Sequence, residues 1–225
     1  MAGKNNASAP RLSRRKKAGA SAPALFPMFV KLVGRPCLVV GAGSVAQAKI
    51  EGLLPTGALL RVVAPEATAT IAAWAARGRL SWERRRFAAS DLDGAFLVIA
   101  ATSSGEVNQS VFRAAEARGI LCNTVDEPER CHFYYPAVVR RGQLQIAIST
   151  GGLSPSLAHR LRVELEAQFG PEYEPWLEWL GEARRVVLAK PLSEARRQRL
   201  LERLASRPMF QRFARQSTRR KGVSL

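Results

Sequence analysis

A glycine-rich hexapeptide is the first segment of this sequence whose residue types indicate chemistry. Gly41-Ala-Gly43-Ser-Val-Ala46 follows an apolar run and opens a stretch of helical character. In such a G-x-G-x-x-A turn, the first glycine permits a tight turn and the second lets backbone N–H groups approach a pyrophosphate, while the small third residue allows close helix–strand packing. The N-terminus of the following helix favours the phosphate charge. The spacing indicates a dinucleotide site, although the same turn also occurs in α/β domains that bind no ligand.

A carboxylate after the second apolar run bears on the choice between nicotinamide cofactors. Glu66 follows Pro65 and lies 25 residues after Gly41, whereas the usual spacing to the acid that binds the ribose is about 20. A hydrogen bond from the ribose 2′-OH to Glu66 would favour NAD. The competing observation is that Arg61 and nearby basic residues could bind the 2′-phosphate of NADP.

A second carboxylate stands at the end of the last apolar run of this region. Asp126 follows Cys122-Asn-Thr-Val125 and precedes Glu127 and Pro128. Ligands of parallel sheets bind outside the carboxyl ends of the strands, so Asp126 is predicted to project near the nicotinamide. There it could accept a proton while hydride leaves for the cofactor. The alternative is that Asp126 only caps the turn made with Pro128.

A loop of small residues supplies a third candidate site. Ser149-Thr-Gly-Gly152-Leu-Ser154-Pro155 precedes a helical stretch, and its free N–H groups with the helix dipole could bind an anion. An anionic substrate that faces the cofactor would connect this loop with Asp126 and the glycine turn. The alternative is a plain hairpin-to-helix connection with a good N-cap.

The histidines and cysteines do not have the spacing of a metal site, and none is predicted. His159 lies among arginines on a helix, which indicates a solvated face. His132 follows Cys131 close to Asp126, and a metal or substrate contact there is a weak alternative. The odd number of cysteines and the absence of C-x-x-C argue against a disulfide framework, which favours a reducing compartment, the cytoplasm. The cysteines are Cys37, Cys122 and Cys131.

These candidate residues need an α/β scaffold to bring them together. Apolar runs alternate with helical stretches as far as Val125, which predicts a Rossmann-like parallel sheet with helices packed on it. The predicted strands are residues 37–41, 59–65, 80–87, 96–102 and 120–125. The predicted helices between them are residues 44–54, 71–76 and 106–118, the last closed by Gly119.

The pattern changes after Pro128. Residues 137–140 and 144–149 flank Arg141-Gly142-Gln143 as a predicted antiparallel hairpin. A helix capped by Ser154 follows, and the remainder reads as helices, with Pro208 breaking the last one. We predict four segments: a basic disordered tail (1–27), a Rossmann domain (28–135), a hairpin and helix for dimerisation and substrate binding (136–170), and a basic helical domain (171–225).

The 225 residues carry a formal net charge of +17, which invites a nucleic-acid interpretation. Residues 1–27 hold six basic residues and no acidic one, and residues 184–225 hold 13 basic residues against Glu194 and Glu202. Residues 28–183 are therefore neutral, and no nucleic-acid partner is predicted. No apolar run is long enough for a membrane span. The acid-poor N-terminus also fits a transit peptide as an alternative to a solvated tail.

Taken in order, the motifs resemble the precorrin-2 dehydrogenase/sirohydrochlorin ferrochelatase family, which includes the N-terminal module of siroheme synthase. The resemblance covers roughly residues 26–169 and is specific as an ordered set. The motifs that carry it are Phe26-Pro-Met-Phe-Val-Lys-Leu, Leu38-Val-Val-Gly-Ala-Gly43, Ala100-Ala-Thr102, Asn108-Gln109, Cys122-Asn-Thr-Val-Asp126, Phe133-Tyr-Tyr-Pro136, and Ile146-Ala-Ile-Ser-Thr-Gly-Gly152 with Ser154-Pro155.

The resemblance implies NAD-dependent oxidation of precorrin-2 to sirohydrochlorin, in many members followed by insertion of Fe²⁺, which is a substrate rather than a bound cofactor. It implies a homodimer built around the hairpin, and Asp126 as the carboxylate of both reactions. The cofactor contacts that we predict are Gly41, Gly43, Ser44, Val45, Pro65, Glu66, Ala101 and Thr102. The substrate contacts that we predict are Asn123, Thr150, Gly151 and Gly152.

Departures from the family leave alternatives open. Thr150 stands where siroheme synthase has a phosphorylatable serine, so that regulation is not carried over. The chain leaves no room for a methyltransferase module, and we expect a separate methyltransferase to supply precorrin-2. The alternatives are a dehydrogenase without chelatase activity, a nucleotide-sensing regulatory module, and nucleic-acid binding through the basic ends with Phe210 and Phe213.

Overall fold

The computed structural model describes residues 24–221, with side chains as far as residue 216. Residues 1–23, which make up most of the predicted basic tail, lie outside the described part. Residues 24–30 form no helix or strand.

A five-stranded parallel sheet is the framework of the first half of the chain. Its strands are β1 (Pro36–Val40), β2 (Leu59–Val63), β3 (Ser81–Glu83), β4 (Leu97–Ala100) and β5 (Leu121–Thr124). The spatial order is β3-β2-β1-β4-β5, and every pairing is parallel. The order reverses between β1 and β4, so ligands are expected outside the carboxyl ends of these two strands.

Helices cover both faces of this sheet because its strands are apolar on both sides. The helices are α1 (Ser44–Leu53), α2 (Ala69–Ala76) and α3 (Gly105–Glu116). Val39 packs in one buried cluster with Ile50 of α1, whereas Leu38 packs in the opposite cluster with Val111 of α3. Adjacent β1 residues thus face opposite layers, as the pleat of a strand requires. The Rossmann-like sheet predicted from the sequence is confirmed.

The second half of the chain consists of a hairpin and four helices. These elements are β6 (Ala137–Arg141), β7 (Leu144–Ile148), α4 (Pro155–Gln168), α5 (Tyr173–Ala189), α6 (Glu194–Leu204) and α7 (Arg207–Lys221). The hairpin is antiparallel, with Gly142 at φ +55° in its turn. Arg141 belongs to β6 and pairs with Leu144, so the turn is one residue tighter than predicted.

Several element boundaries differ from the sequence prediction, and two of the differences have a clear physical cause. The third strand was expected over residues 80–87 but ends at Glu83, where Arg85 turns back to form ion pairs with Glu83 and Asp91. The helix break expected at Pro208 is present just before it, between the end of α6 at Leu204 and the start of α7 at Arg207, and Pro208 itself lies in the first turn of α7. Proline is tolerated there because the first-turn N–H groups have no partner within the helix.

Aromatic side chains hold the C-terminal helices together. Phe210 and Phe213 of α7 lie against Trp176 of α5, with ring centroids 5.7 and 5.3 Å apart. The ring centroids of Tyr173 and Phe210 are 4.4 Å apart. Phe210 and Phe213 are thus half-buried and engaged between α5 and α7, which weakens the aromatic part of the nucleic-acid interpretation. Within residues 24–221, no helix combines the length and apolar character needed to span a bilayer.

Candidate functional site

Gly41 lies directly after β1 and close to the end of β4. This is the switch point of the sheet, where the order of the strands reverses. Gly41 has φ +101°, and a Cβ atom there would lie 2.4 Å from the carbonyl oxygen of Ala101. No side chain fits in that space, so glycine is required on both conformational and steric grounds. The glycine turn therefore lies directly against the end of β4.

The second glycine leaves the N-terminus of α1 open. Gly43 is the N-cap, no side chain caps the helix, and nothing lies within 4 Å of the position that a Cβ would take. Ser44 and Val45 are exposed, and Ala46 is completely buried against the sheet. The geometry suits a pyrophosphate at the amides of this first turn.

The loop after β2 joins the same turn. The backbone N–H of Thr68 donates to the carbonyl oxygen of Ala42 at 3.0 Å, and the Thr68 hydroxyl lies 2.8 Å from Gln47 Oε1. Pro65 and Glu66 are exposed between these anchored points. Glu66 is therefore accessible to a ligand bound at the turn.

Arg61 is engaged within the protein. Its guanidinium donates to Glu83 Oε1 at 3.1 Å and to Asp91 Oδ1 at 3.2 Å. Hydrogen bonds from Arg85 hold the pKa of the buried Asp91 carboxyl below its usual range, and the hydrogen bond from Arg61 does the same for the pKa of Glu83. An arginine committed to two carboxylates offers little to the 2′-phosphate of NADP.

A buried asparagine, noted in the sequence only as part of the family resemblance, fixes the end of β4. Asn108 of α3 accepts from the backbone N–H of Thr102 at 3.2 Å and donates to the Thr102 carbonyl oxygen at 3.1 Å. Ala101 and Thr102 are half-buried at the switch point. Asn108-Gln109 was visible only as part of the family resemblance, because a polar residue in a helix does not by itself indicate its partner.

Asp126 has a distinctive backbone at the end of β5. Its φ is +61°, the one positive value of a non-glycine residue among the described residues. Aspartate tolerates this left-handed conformation better than most residues. The Asp126 side chain is exposed, so it is open both to a substrate and to the turn-capping alternative.

The segment after Asp126 is tied back to β5 by polar side chains. Asn123 is buried, and its amide nitrogen donates to the Phe133 carbonyl oxygen at 2.8 Å and lies 3.3 Å from Cys131 Sγ. The Cys131 thiol in turn donates to the Thr124 carbonyl oxygen at 3.1 Å. Both Asn123 amide hydrogens are thus directed at this segment, which leaves only the Asn123 amide oxygen for the predicted substrate contact.

His132 takes part in the same attachment. The backbone N–H of Cys122 donates to His132 Nδ1 at 3.1 Å, and the backbone N–H of His132 donates to the Cys122 carbonyl oxygen at 2.8 Å. The imidazole also lies against the Phe112 ring, with centroids 5.3 Å apart. A structural role accounts for His132 without a metal. No group of three or more His, Cys, Asp or Glu residues within the described chain could hold a metal ion.

Lys49 is a residue of the site that sequence reasoning missed. It lies on α1, and its ammonium is 4.2 Å from the centroid of the Tyr135 ring. Burial lowers the pKa of Lys49, while the charges of Asp126 and Cys131 act in the opposite direction. The sequence carried one signal for this position. Lys49 lies three residues after the buried Ala46, so both side chains lie on the face of α1 that meets the sheet.

The small-residue loop has fewer free N–H groups than expected for an anion site. The N–H of Gly151 donates to Ser149 Oγ at 3.2 Å, that of Leu153 to the Thr150 carbonyl oxygen at 3.1 Å, and that of Ser154 to Thr150 Oγ1 at 3.2 Å. Gly151 and Gly152 have φ +61° and +81°, and the Thr150 hydroxyl donates to the Ser154 carbonyl oxygen at 3.1 Å. Ser154 caps α4 by accepting from the N–H of Leu157 at 3.2 Å. A Cβ at Gly152 would lie 3.7 Å from Tyr134 Cε1, so this loop adjoins the segment that follows Asp126.

Comparisons with known proteins agree with this arrangement. Residues 28–137 match the family described as putative NAD(P)-binding, and residues 141–168 match the family described as sirohaem biosynthesis protein central. Siroheme synthase of Methylobacillus flagellatus is 44% identical over 162 residues, which is 72% of this chain and 35% of the relative. Siroheme synthase of Neisseria meningitidis serogroup C is 41% identical over 178 residues, which is 79% of this chain and 37% of the relative. The chain thus spans a little over a third of these relatives.

A solved structure matches over nearly its whole length. The structure of SirC, a precorrin-2 dehydrogenase, has a TM-score of 0.71 and 31% sequence identity, and the match covers 85% of this chain and 98% of that protein. Sequence identity at this level, over a complete and similarly folded relative, shows common family membership. The chain belongs to the precorrin-2 dehydrogenase family.

Proposed function

We propose that the chain oxidises precorrin-2 to sirohydrochlorin with NAD⁺ as the hydride acceptor, in siroheme biosynthesis. The observation that carries the proposal is the placement of Asp126 at the carboxyl end of β5, in the same sheet whose β1 end forms the open glycine turn. A proton acceptor and a dinucleotide site at one edge of a sheet suit removal of a hydride and a proton. The structural match to SirC supports the substrate.

The residues present fit a nicotinamide dinucleotide. Gly43 leaves unfilled space before the amides of Ser44 and Val45, where a pyrophosphate would lie. Glu66 would accept a hydrogen bond from the ribose 2′-OH, and Ala101 and Thr102 would line the path toward Asp126. NAD⁺, when bound, supplies the hydride acceptor. The engagement of Arg61 with Glu83 and Asp91 supports NAD over NADP.

The chain's own residues would position the substrate and take up its proton. Asp126, held at the end of β5 by the attachments of Asn123 and Cys131, would accept the proton that leaves as the macrocycle is oxidised. The backbone amides of Thr150 and Gly152 would bind substrate carboxylates, whereas the amide of Gly151 already donates to Ser149 Oγ. Asn123 would act chiefly by holding the segment that follows Asp126.

We also propose that the same site inserts Fe²⁺ into sirohydrochlorin, with Asp126 removing pyrrole protons. The support is the match to siroheme synthases. The metal is then a substrate of the site. A dehydrogenase without this second activity is the alternative.

A homodimer built around the hairpin is a further part of the proposal. Leu153 is 90% exposed, and Leu157 and Val163 of α4, the helix that packs against the hairpin, are also exposed. An apolar surface of this kind is typical of an interface. We propose in addition that a separate methyltransferase supplies precorrin-2, and that the free thiols of the chain suit the cytoplasm.

One assay tests the function. Purified protein is mixed with precorrin-2 and either NAD⁺ or NADP⁺, and reduced cofactor is followed by absorbance. We expect turnover with NAD⁺ and a lower kcat/KM with NADP⁺, and no reduced cofactor with either would contradict the proposal. Fe²⁺ or Co²⁺ added to preformed sirohydrochlorin tests chelation separately, because oxidation without metal insertion would leave the dehydrogenase alone.

A further inference from the structure

Lys49 occupies an unusual position for a lysine. On α1 it lies three residues after Ala46 and four before Leu53, both of which are buried against the sheet. The lysine itself is half-buried on the flank of that apolar stripe. Side chains of a helix lean toward its N-terminus, which for α1 is the end that meets the glycine turn. Lys49 is therefore directed from the helix toward the carboxyl edge of the sheet.

The surroundings of the Lys49 ammonium leave its hydrogen-bond donors available. Its close contact is the face of the Tyr135 ring at 4.2 Å, which attracts the charge without accepting conventional hydrogen bonds. No carboxylate lies within ion-pair distance of Lys49 among the side chains of residues 24–216. Asp126 is nevertheless near enough for its charge to act on the ammonium.

A half-buried ammonium with free donors is stabilised by an incoming anion. Partial removal of water makes the charge more costly to keep and strengthens its attraction to an opposite charge. Precorrin-2 and sirohydrochlorin both carry several carboxylates. Asp126 ends β5 at the same carboxyl edge of the sheet toward which Lys49 is directed, so one macrocycle at this edge could present a carboxylate to Lys49 and its reacting ring to Asp126.

We propose that Lys49 binds a carboxylate side chain of the tetrapyrrole and thereby positions the ring over Asp126. This inference rests on the proposed function and adds a second anion-binding position to the loop of Thr150–Gly152. The two positions are contributed by different parts of the fold, the first helix of the sheet and the loop after the hairpin. Two separated carboxylate contacts would fix the orientation of the macrocycle as well as its affinity.

The test uses variants that separate charge from packing. Lys49→Met keeps the apolar stem against Tyr135 and removes the charge, and Lys49→Arg keeps the charge. Lys31→Met makes the same charge change at an exposed lysine before β1. We expect Lys49→Met to raise the KM for precorrin-2 about 10- to 100-fold, the range for a lost charge-assisted hydrogen bond, with KM for NAD⁺ unchanged. Lys49→Arg should keep a KM for precorrin-2 close to that of the wild type, and Lys31→Met should leave this KM unchanged.

Sirohydrochlorin binding, followed by the change in its absorbance, measures the contact without oxidation. We expect Lys49→Met to weaken this binding by the same factor and to reduce its dependence on salt. An unchanged KM and Kd, an equal loss in Lys49→Arg, or a fall in kcat alone would each overturn the inference. If the wild-type chain binds sirohydrochlorin but makes no NADH, the proposed oxidation is contradicted, while the binding measurement still tests the Lys49 contact. If the wild-type chain does not bind sirohydrochlorin, both the proposed function and the Lys49 contact are contradicted.

Discussion

At the scale of single residues, the two glycines of the turn have different tasks that substitution can separate. Gly41→Ala places a Cβ 2.4 Å from the Ala101 carbonyl oxygen in a backbone of φ +101°. We expect the free energy of unfolding to fall by about 2–4 kcal/mol, because strain and overpacking add. Urea denaturation measures this change.

Gly43→Ala is the matched control for that change. Its backbone has φ −79°, and nothing lies within 4 Å of the new Cβ. We expect a loss of less than about 1 kcal/mol in unfolding free energy. We also expect weaker NAD⁺ binding in a fluorescence titration, because the methyl group would fill the space that we propose for the pyrophosphate. Equal destabilisation by both variants would contradict the division of roles.

At the scale of elements, the ion-pair network of Asp91 joins β2, β3 and the short helical turn Ala89–Leu92. Asp91→Asn keeps the shape of the side chain and removes its charge. We expect it to lower the free energy of unfolding at neutral pH by about 1–3 kcal/mol. Asp93→Asn, at an exposed carboxylate that pairs with Arg118, should cost less than about 0.5 kcal/mol.

The pH dependence of unfolding provides a second measurement of the same network. The pKa values of Asp91 and Glu83 are lower in the folded chain than their ordinary values. Their contribution is therefore present above the unfolded-state pKa of about 4 and is lost as the pH falls through the lower folded-state values. The difference between wild type and Asp91→Asn should shrink below about pH 4. A constant difference down to pH 2 would contradict this account.

The elements that could be predicted from sequence are those whose signals are local. Continuous apolar runs identified β1, β2, β4 and β5, and a serine followed by proline identified the start of α4. The length of β3 could not be predicted, because it is limited by the ion pairs of Arg85 with residues distant in sequence. The position of Lys49 over Tyr135 and the pairing of Asn108 with Thr102 are tertiary contacts of the same kind.

At the scale of the whole molecule, the sequence divides into a neutral body and basic ends. Within the described residues, Arg212 and Arg215 are exposed on α7, whose aromatic side chains pack against α5. A basic surface attracts a polycarboxylate substrate at long range, and salt screens that attraction. We therefore propose that some arginines of the basic C-terminal segment contribute to the capture of an anionic substrate.

Replacing both Arg212 and Arg215 with Gln tests this interpretation. We expect kcat/KM for precorrin-2 to fall about 2- to 5-fold at low ionic strength and to converge with the wild type at high salt. The same charge change at exposed Arg77 and Arg79, beside the amino end of β3, is the control and should have a smaller effect. Identical salt profiles for all three proteins would exclude steering by α7.

The proposed oxidation depends on Asp126 as its proton acceptor. Asp126→Asn tests it most directly, because asparagine also tolerates φ +61° and preserves the shape of the side chain while removing its basicity. Single-turnover NADH formation from precorrin-2 is the measurement, with NAD⁺ affinity and unfolding free energy as controls. We predict a rate lower by about 10²- to 10⁴-fold with both controls unchanged. Oxidation at the wild-type rate would show that Asp126 is only a turn residue.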